Sequence, residues 1–166
     1  AILIFEVQLI DAVNPAVEKQ RKAEAAKKLQ KDQDSVIVAY MNSNKLKLTK
    51  KTDKGTYIIH TNKLKSSKKS PLKYPVSGQK ISVHYTGKLL DGKKFDSSVD
   101  RNQPFEFVVD KGQVIPGWDD AFLNLAVGQK ATIILPSSIA YGERGAGANI
   151  GPNEILLFEI ELLEIK

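Results

Sequence analysis

Apolar and polar residues alternate at the start of the chain. Leu3, Phe5, Val7 and Leu9 are set against Glu6 and Gln8, the period-2 pattern that predicts a half-buried strand over 1–13. Asn14-Pro15 then offers a helix cap followed by a proline suited to the first helical position. The stretch from Ala16 to about Asn42 is rich in helix formers, with Val17, Leu29, Val36 or Ile37, and Tyr40 or Met41 near one face. Glu18–Lys22 and Glu24–Lys28 are supporting i,i+4 pairs. Asn42-Ser43-Asn44 ends the pattern. Asp53-Lys54-Gly55 reads as a turn, Thr56–Thr61 as a strand, and Ser66–Pro75 as a polar loop with two prolines.

From Val76 the texture changes. Short alternating runs at Ile81–Tyr85, Phe105–Val109, Ala131–Leu135 and Ile155–Ile165 are separated by Gly, Pro and Asp turns. Trp118–Leu125 is the helical candidate among them, opened by Pro116-Gly117 and closed by Val127-Gly128. The expected fold is α+β: a curved antiparallel β-sheet wrapped around one short α-helix, preceded by a long N-terminal helix and an isolated β-strand. The expected organisation is a strand at 1–13, a helical linker at 14–51, and a domain at 52–166 with a lysine-rich loop at 61–75.

Residues 2–11 (ILIFEVQLID) match 155–164 (ILLFEIELLE) with five identities. Two explanations compete for this internal repeat. The chain begins with the last strand of a preceding copy of the domain, or the duplicate strand pairs within or between molecules as in a strand-swapped dimer. The long helix is either a partner-binding element or a charged spacer.

Charge refines this picture. Residues 45–75 carry ten lysines and one acidic residue, Asp53, a net +9, whereas residues 76–166 carry nine basic and twelve acidic residues. The net +6 therefore belongs to one segment. That segment lacks arginine and has Tyr57 and Tyr74 as its aromatics, so it reads as a solvated connection and no nucleic acid partner is expected. No apolar run approaches the roughly 18 residues of a transmembrane helix. The chain does not start with Met, and its first residues lack a charged n-region, as in a fragment or a processed form.

Hydrolytic and metal chemistry find no constellation. There is no cysteine, and the two histidines, His60 and His84, lie in no HExxH helix. No GxSxG elbow is present, and Gly142–Gly147 is not in GxGxxG order. What remains is aromatic: Tyr85, Phe95, Phe105, Phe107, Trp118, Tyr141 and Phe158, set among Asp96, Val114 and Ile115.

Five ordered blocks and the chain end then carry a resemblance. They are Val83-His84-Tyr85-Thr86-Gly87, Asp91-Gly92-Lys93-Lys94-Phe95-Asp96-Ser97-Ser98, Gln113-Val114-Ile115-Pro116-Gly117-Trp118, Val127-Gly128-Gln129, Ala140-Tyr141-Gly142, and Pro152-Asn153-Glu154-Ile155-Leu156-Leu157-Phe158. In these, residues 76–166 resemble the FKBP-type (macrolide-binding) peptidyl-prolyl cis–trans isomerases over their whole length. The resemblance implies an enzyme that accelerates X–Pro rotation in folding polypeptides, without cofactor or metal. The alternative is a non-catalytic proline-peptide-binding chaperone or scaffold. By resemblance, Trp118 is the pocket floor and Tyr85, Phe95, Val114, Ile115, Tyr141 and Phe158 are walls, with Phe105 nearby. Asp96 is the polar rim group, with Arg101 and Tyr141 as partners. The Ile115 N–H and the Tyr141 hydroxyl hydrogen-bond substrate or macrolide carbonyls. Tyr85, Phe95, Asp96, Ile115, Trp118, Tyr141 and Phe158 are the implied catalytic set, and Arg101, Phe105, Val114, Ala146 and Ile150 the implied substrate contacts. The loop after Tyr141 departs from the pattern: Ala146 stands where a larger residue is frequent, Asn149 where an apolar one is, and Gly151-Pro152 replaces Pro-Pro. Asp53–Ile59 resembles the leader of bacterial members, which implies a periplasmic or envelope location, with the cytoplasm as the alternative.

Overall fold

The computed structural model describes residues 14–67 and 71–166; the strand expected over 1–13 lies outside them. Helix α1 spans Pro15–Ser43. Asn14 caps it, its side-chain oxygen accepting the Ala16 N–H at 2.9 Å, and Pro15 occupies a position whose N–H would be unpaired in any residue. Residues 15–28 are exposed throughout. The second half is not. Gln33, Ile37 and Met41, four residues apart on one face, are buried, while Val36 is 49% exposed and Val17 43%. The apolar stripe thus settles on Ile37 and Met41.

Seven strands form one sheet: β1 (Lys50–Lys51), β2 (Tyr57–His60), β3 (Lys80–Leu89), β4 (Lys94–Ser97), β5 (Phe105–Val108), β6 (Lys130–Leu135) and β7 (Leu156–Ile165). The order is β1-β2-β6-β7-β3-β4, with β5 also on β3, and every pair is antiparallel. β4 and β5 share one edge of β3. Lys80–Val83 pair with β5, and Thr86–Lys88 pair with β4. Ser98 bridges the interruption: its N–H donates to the Tyr85 carbonyl at 3.0 Å, and its Oγ accepts the Tyr85 N–H at 2.8 Å. The ladder therefore survives while residues 99–104 leave the sheet and carry Arg101 outward.

Side-chain alternation sorts the strands between two cores. On one face, Ile58, Ile81, Val83, Ile133, Leu135, Leu156, Phe158, Ile160 and Leu162 enclose helix α2 (Pro116–Phe122) through Trp118, Ala121 and Phe122. Gly117 permits this contact, since a Cβ there would lie 2.7 Å from both Leu135 methyl carbons. The helix ends earlier than its pattern suggested. After Phe122 the chain tightens into i→i+3 bonds, Asn124 N–H to Ala121 and Leu125 N–H to Phe122, with Leu125 still fully buried. On the other face, Tyr57, Ile59, Ile134 and Leu157 meet Ile37 and Met41 of α1. Burying each of those two side chains contributes about 1.5–3 kcal/mol. The Tyr57 hydroxyl donates to Asp34 at 2.8 Å, and Lys51 pairs with the same carboxylate at 3.1 Å. The sheet is thus clamped between a short helix on one side and half of a long one on the other.

Among the described residues, no helix is long and apolar enough to cross a membrane, and no group of three or more His, Asp or Glu side chains is placed to hold a metal ion.

Candidate active site

The site is built where β3, β4 and the entry to α2 converge. Tyr85 comes from mid-β3, Phe95 and Asp96 from β4, Phe105 from the start of β5, and Phe158 from β7. Val114 and Ile115 come from the loop into α2, Trp118 from its first turn, and Tyr141 from the segment after β6. Together with Gln113 they line one pocket of about 190 Å³.

Trp118 is the hub. Its ring centroid lies 4.8 Å from Tyr85, 5.2 Å from Phe158, 5.7 Å from Phe122, 5.9 Å from Phe107 and 6.0 Å from Phe105. Most of these contacts are edge-to-face, the arrangement ring quadrupoles favour. Its indole N–H is buried without a hydrogen-bond partner among the described residues. Phe95 stands perpendicular to Phe158 at 5.6 Å. Gly87, opposite Asp96 in the β3–β4 register, makes room for both: a Cβ there would lie 2.6 Å from Phe95 and 2.8 Å from Phe158.

The rim is polar and paired. Asp96 accepts from the Tyr85 hydroxyl at 2.5 Å, from the Ser97 N–H at 2.8 Å, and from Arg101 in a salt bridge. Arg101 also donates to the Tyr85 hydroxyl at 2.9 Å. The hydroxyl partner of Asp96 is therefore Tyr85, where Tyr141 was expected. The cross-strand register brings Tyr85 to the carboxylate, whereas Tyr141 makes no hydrogen bond to Asp96 and feels only its charge. Burial raises the Asp96 carboxyl, but hydrogen bonds from Tyr85 and Arg101 and the guanidinium charge outweigh it and hold it below the ordinary value. Burial, then the neighbouring carboxylate, raises the Tyr85 phenol, and Tyr141 is raised by the same two causes.

Two donors on lining residues have no protein partner among the described residues. The Ile115 N–H, at the entry to α2, donates to nothing, although the Ile115 carbonyl accepts the Trp118 N–H at 2.9 Å. The Tyr141 hydroxyl sits on a side chain 40% exposed and makes no protein hydrogen bond. Below them, the buried Asp119 carboxylate accepts the backbone N–H groups of Asp110 at 2.7 Å and Gly112 at 3.2 Å. Gln113 accepts the Val108 N–H at 2.9 Å. These two side chains fix the loop that presents Val114 and Ile115.

Of the residues named from sequence, Arg101 sits at the rim as the Asp96 partner and outside the lining. Ala146 and Ile150 bridge each other in the segment after Tyr141 and pack on the core beside the pocket. Gln113, Asp119 and Gly87 were not singled out. A glycine inside a β-branched and aromatic strand was the available signal for Gly87; Asp119 and Gln113 act on backbone brought near only by folding.

The family described as FKBP-type peptidyl-prolyl cis-trans isomerase matches residues 72–163. Similar proteins include Peptidyl-prolyl cis-trans isomerase Fkbp12 of Drosophila melanogaster, 54% identical over 93 residues, covering 56% of this chain and 86% of the relative. FK506-binding protein of Neisseria meningitidis serogroup C is 50% identical over 93 residues, covering 56% of this chain and 85% of the relative. FKBP-type 22 kDa peptidyl-prolyl cis-trans isomerase of Escherichia coli (strain K12) is 54% identical over 91 residues, covering 55% of this chain but 43% of the relative. Helix α1 and strands β1 and β2 precede the residues matched by the family.

Proposed function

The chain belongs to the FKBP-type peptidyl-prolyl cis–trans isomerase family, and from that premise we propose that the X–Pro bond rotates in the pocket over Trp118. The observation that carries this reading is a pocket lined by the rings of Tyr85, Phe95, Phe105, Trp118, Tyr141 and Phe158 beside an Ile115 N–H that has no protein partner among the described residues. X–Pro rotation needs no nucleophile. Its barrier of roughly 18–20 kcal/mol comes from amide resonance, which water strengthens by solvating the polar carbonyl. The twisted amide of the transition state is less polar, so an apolar lining favours it over the planar ground state. Each ~1.4 kcal/mol of such preference gives a tenfold rate gain.

In this reading the proline ring rests on Trp118 between Tyr85 and Phe158, with Phe95 and Val114 against its edges. The Ile115 N–H and the Tyr141 hydroxyl take the two flanking carbonyls and hold the chain on either side of the turning bond. Asp96 holds the Tyr85 hydroxyl and Arg101 at the polar rim of the pocket. The same apolar floor and two donors suit the carbonyls of macrolide inhibitors. The test is an NMR titration with a short Phe-Pro peptide. Proline-ring contacts to the Trp118 indole and a shift of the Ile115 amide are expected. Saturable binding that leaves both unmoved contradicts the assignment.

A further inference from the structure

The segment between β6 and β7, residues 136–155, carries Tyr141 yet has little regular structure. It holds two single-turn 3₁₀ pieces, Ser137–Ile139 and Gly142–Arg144, and a bridge between Ala146 and Ile150. Such a segment needs its stems fixed if it is to hold a wall in place. The side chain that spans both stems comes from α1. The Gln33 carboxamide oxygen accepts the Ser137 N–H at 2.9 Å and the Ser137 hydroxyl at 3.1 Å. The Gln33 amide nitrogen donates to the Asn153 carbonyl at 2.8 Å. Asn153 in turn donates its N–H to the Gly142 carbonyl, next to Tyr141, at 2.8 Å. One turn earlier in α1, Gln30 accepts from Ser138 at 2.6 Å.

Gln33 is 6% exposed and lies on the stripe that continues through Ile37 and Met41. A glutamine is an unusual choice for a buried helix position, because its amide must find partners on both its oxygen and its nitrogen. Here one arm finds the exit from β6 and the other finds the approach to β7. We infer that Gln33 is a positioning residue for the isomerase pocket, stapling both stems of the Tyr141 segment to α1. This inference rests on the pocket assignment above. Helix α1 then does more than cover the back of the sheet: its register along the sheet sets the position of the Tyr141 wall. Because that wall contacts planar and twisted substrate alike, loosening it weakens binding of both and moves KM more than kcat.

The test uses the full chain, with Gln33→Met, Gln33→Glu and Trp118→Ala measured together for kcat, KM and amide hydrogen exchange. Gln33→Met keeps the volume and removes both arms. KM for a Phe-Pro peptide should rise about three- to tenfold with kcat held within about twofold, and exchange should quicken in residues 137–153 but not in β3 or β4. Gln33→Glu keeps the acceptor for Ser137 but loses the donor and sets a buried oxygen against the Asn153 carbonyl, so it should raise KM at least as much, with the fastest exchange near Asn153. Should Gln33→Met fail to fold, the Gln33→Glu result alone decides. An unchanged KM in a folded variant overturns the inference, as does faster exchange spread evenly over the domain. If Trp118→Ala loses turnover while both Gln33 variants keep the wild-type KM, the staple fails and the pocket stands. If Trp118→Ala is unaffected, the pocket assignment itself fails.

Discussion

The two helices lie on opposite faces of one sheet and are held there in different ways. α2 has seven residues, and six of them, Gly117–Phe122, are buried. α1 has 29 residues and buries Gln33, Ile37 and Met41. Length and helix propensity favour α1; burial favours α2. The short helix would be marginal in isolation and exists because Trp118 and Phe122 are enclosed by the sheet. The long helix is exposed over its first half and is anchored in its second, where Ile37 and Met41 meet Tyr57, Ile59, Ile134 and Leu157 and where Gln30, Gln33 and Asp34 make hydrogen bonds to the rest of the chain. The lesson is that a helix's place in the fold is set by the few side chains it buries, and its share in the chemistry by what those side chains touch.

That contrast can be tested from its strongest point downward. Trp118→Ala removes the ring that both fills the core and floors the pocket, so it should cost about 3–5 kcal/mol of stability and lower kcat/KM by at least about tenfold. Denaturant unfolding and exchange-NMR turnover read the two losses separately. A stable variant with full turnover breaks the link between α2 and the site. On α1, Ile37→Ala should cost about 2–5 kcal/mol, while the adjacent Val36→Ala should stay within about 0.5 kcal/mol. Equal costs at the two neighbours would mean that the stripe is not what anchors the helix. Gly87→Ala pushes a methyl against Phe95 and Phe158, and overpacking of this kind costs about 1–3 kcal/mol. Weaker macrolide binding should accompany it, and calorimetry of unfolding and of binding measures both.

The smallest effect concerns pH. The ionisable side chains of the lining are Tyr85, Asp96 and Tyr141. The two phenols are shifted up and the carboxyl down, so all three move away from neutrality. Turnover should be flat from about pH 5 to pH 8. Because the folded-state pKa of Asp96 is depressed, its contribution to stability is present above the ordinary carboxylate pKa and is lost as pH falls through the lower folded value. Asp96→Asn should remove that part of the acid limb. A pH–rate profile with a step near neutrality in which Asp96→Asn abolishes the step would contradict the placement.

The strands with clean alternation, β3, β5, β6 and β7, were legible in the sequence, and their seven-strand antiparallel sheet over a short helix agrees with the fold expected. β4 was not legible as a strand. Lys94-Phe95-Asp96-Ser97 has one apolar residue, and pairing with Thr86–Lys88 makes it a strand. Most of the pocket lining, and Arg101 as a partner of Asp96, could be named from the family resemblance, but not the hydroxyl that holds Asp96. Tyr85 lies eleven residues away and meets it only across the β3–β4 register. Val36 and Ile37 could not be told apart from the helical pattern, because the residue that completes the stripe, Gln33, reads as polar surface. Its burial depends on Ser137 and Asn153, more than 100 residues along the chain.

The central claim is that X–Pro rotation is accelerated at the Trp118 pocket. The most direct measurement is NMR exchange between the cis and trans forms of a Phe-Pro peptide, with the protein in catalytic amount and a macrolide titrated in. The account predicts rapid exchange that falls to the uncatalysed rate, tens to hundreds of seconds, as the macrolide saturates the site and the Trp118 indole signal shifts in step. Exchange that stays rapid with the pocket filled, or no acceleration by folded protein, contradicts it.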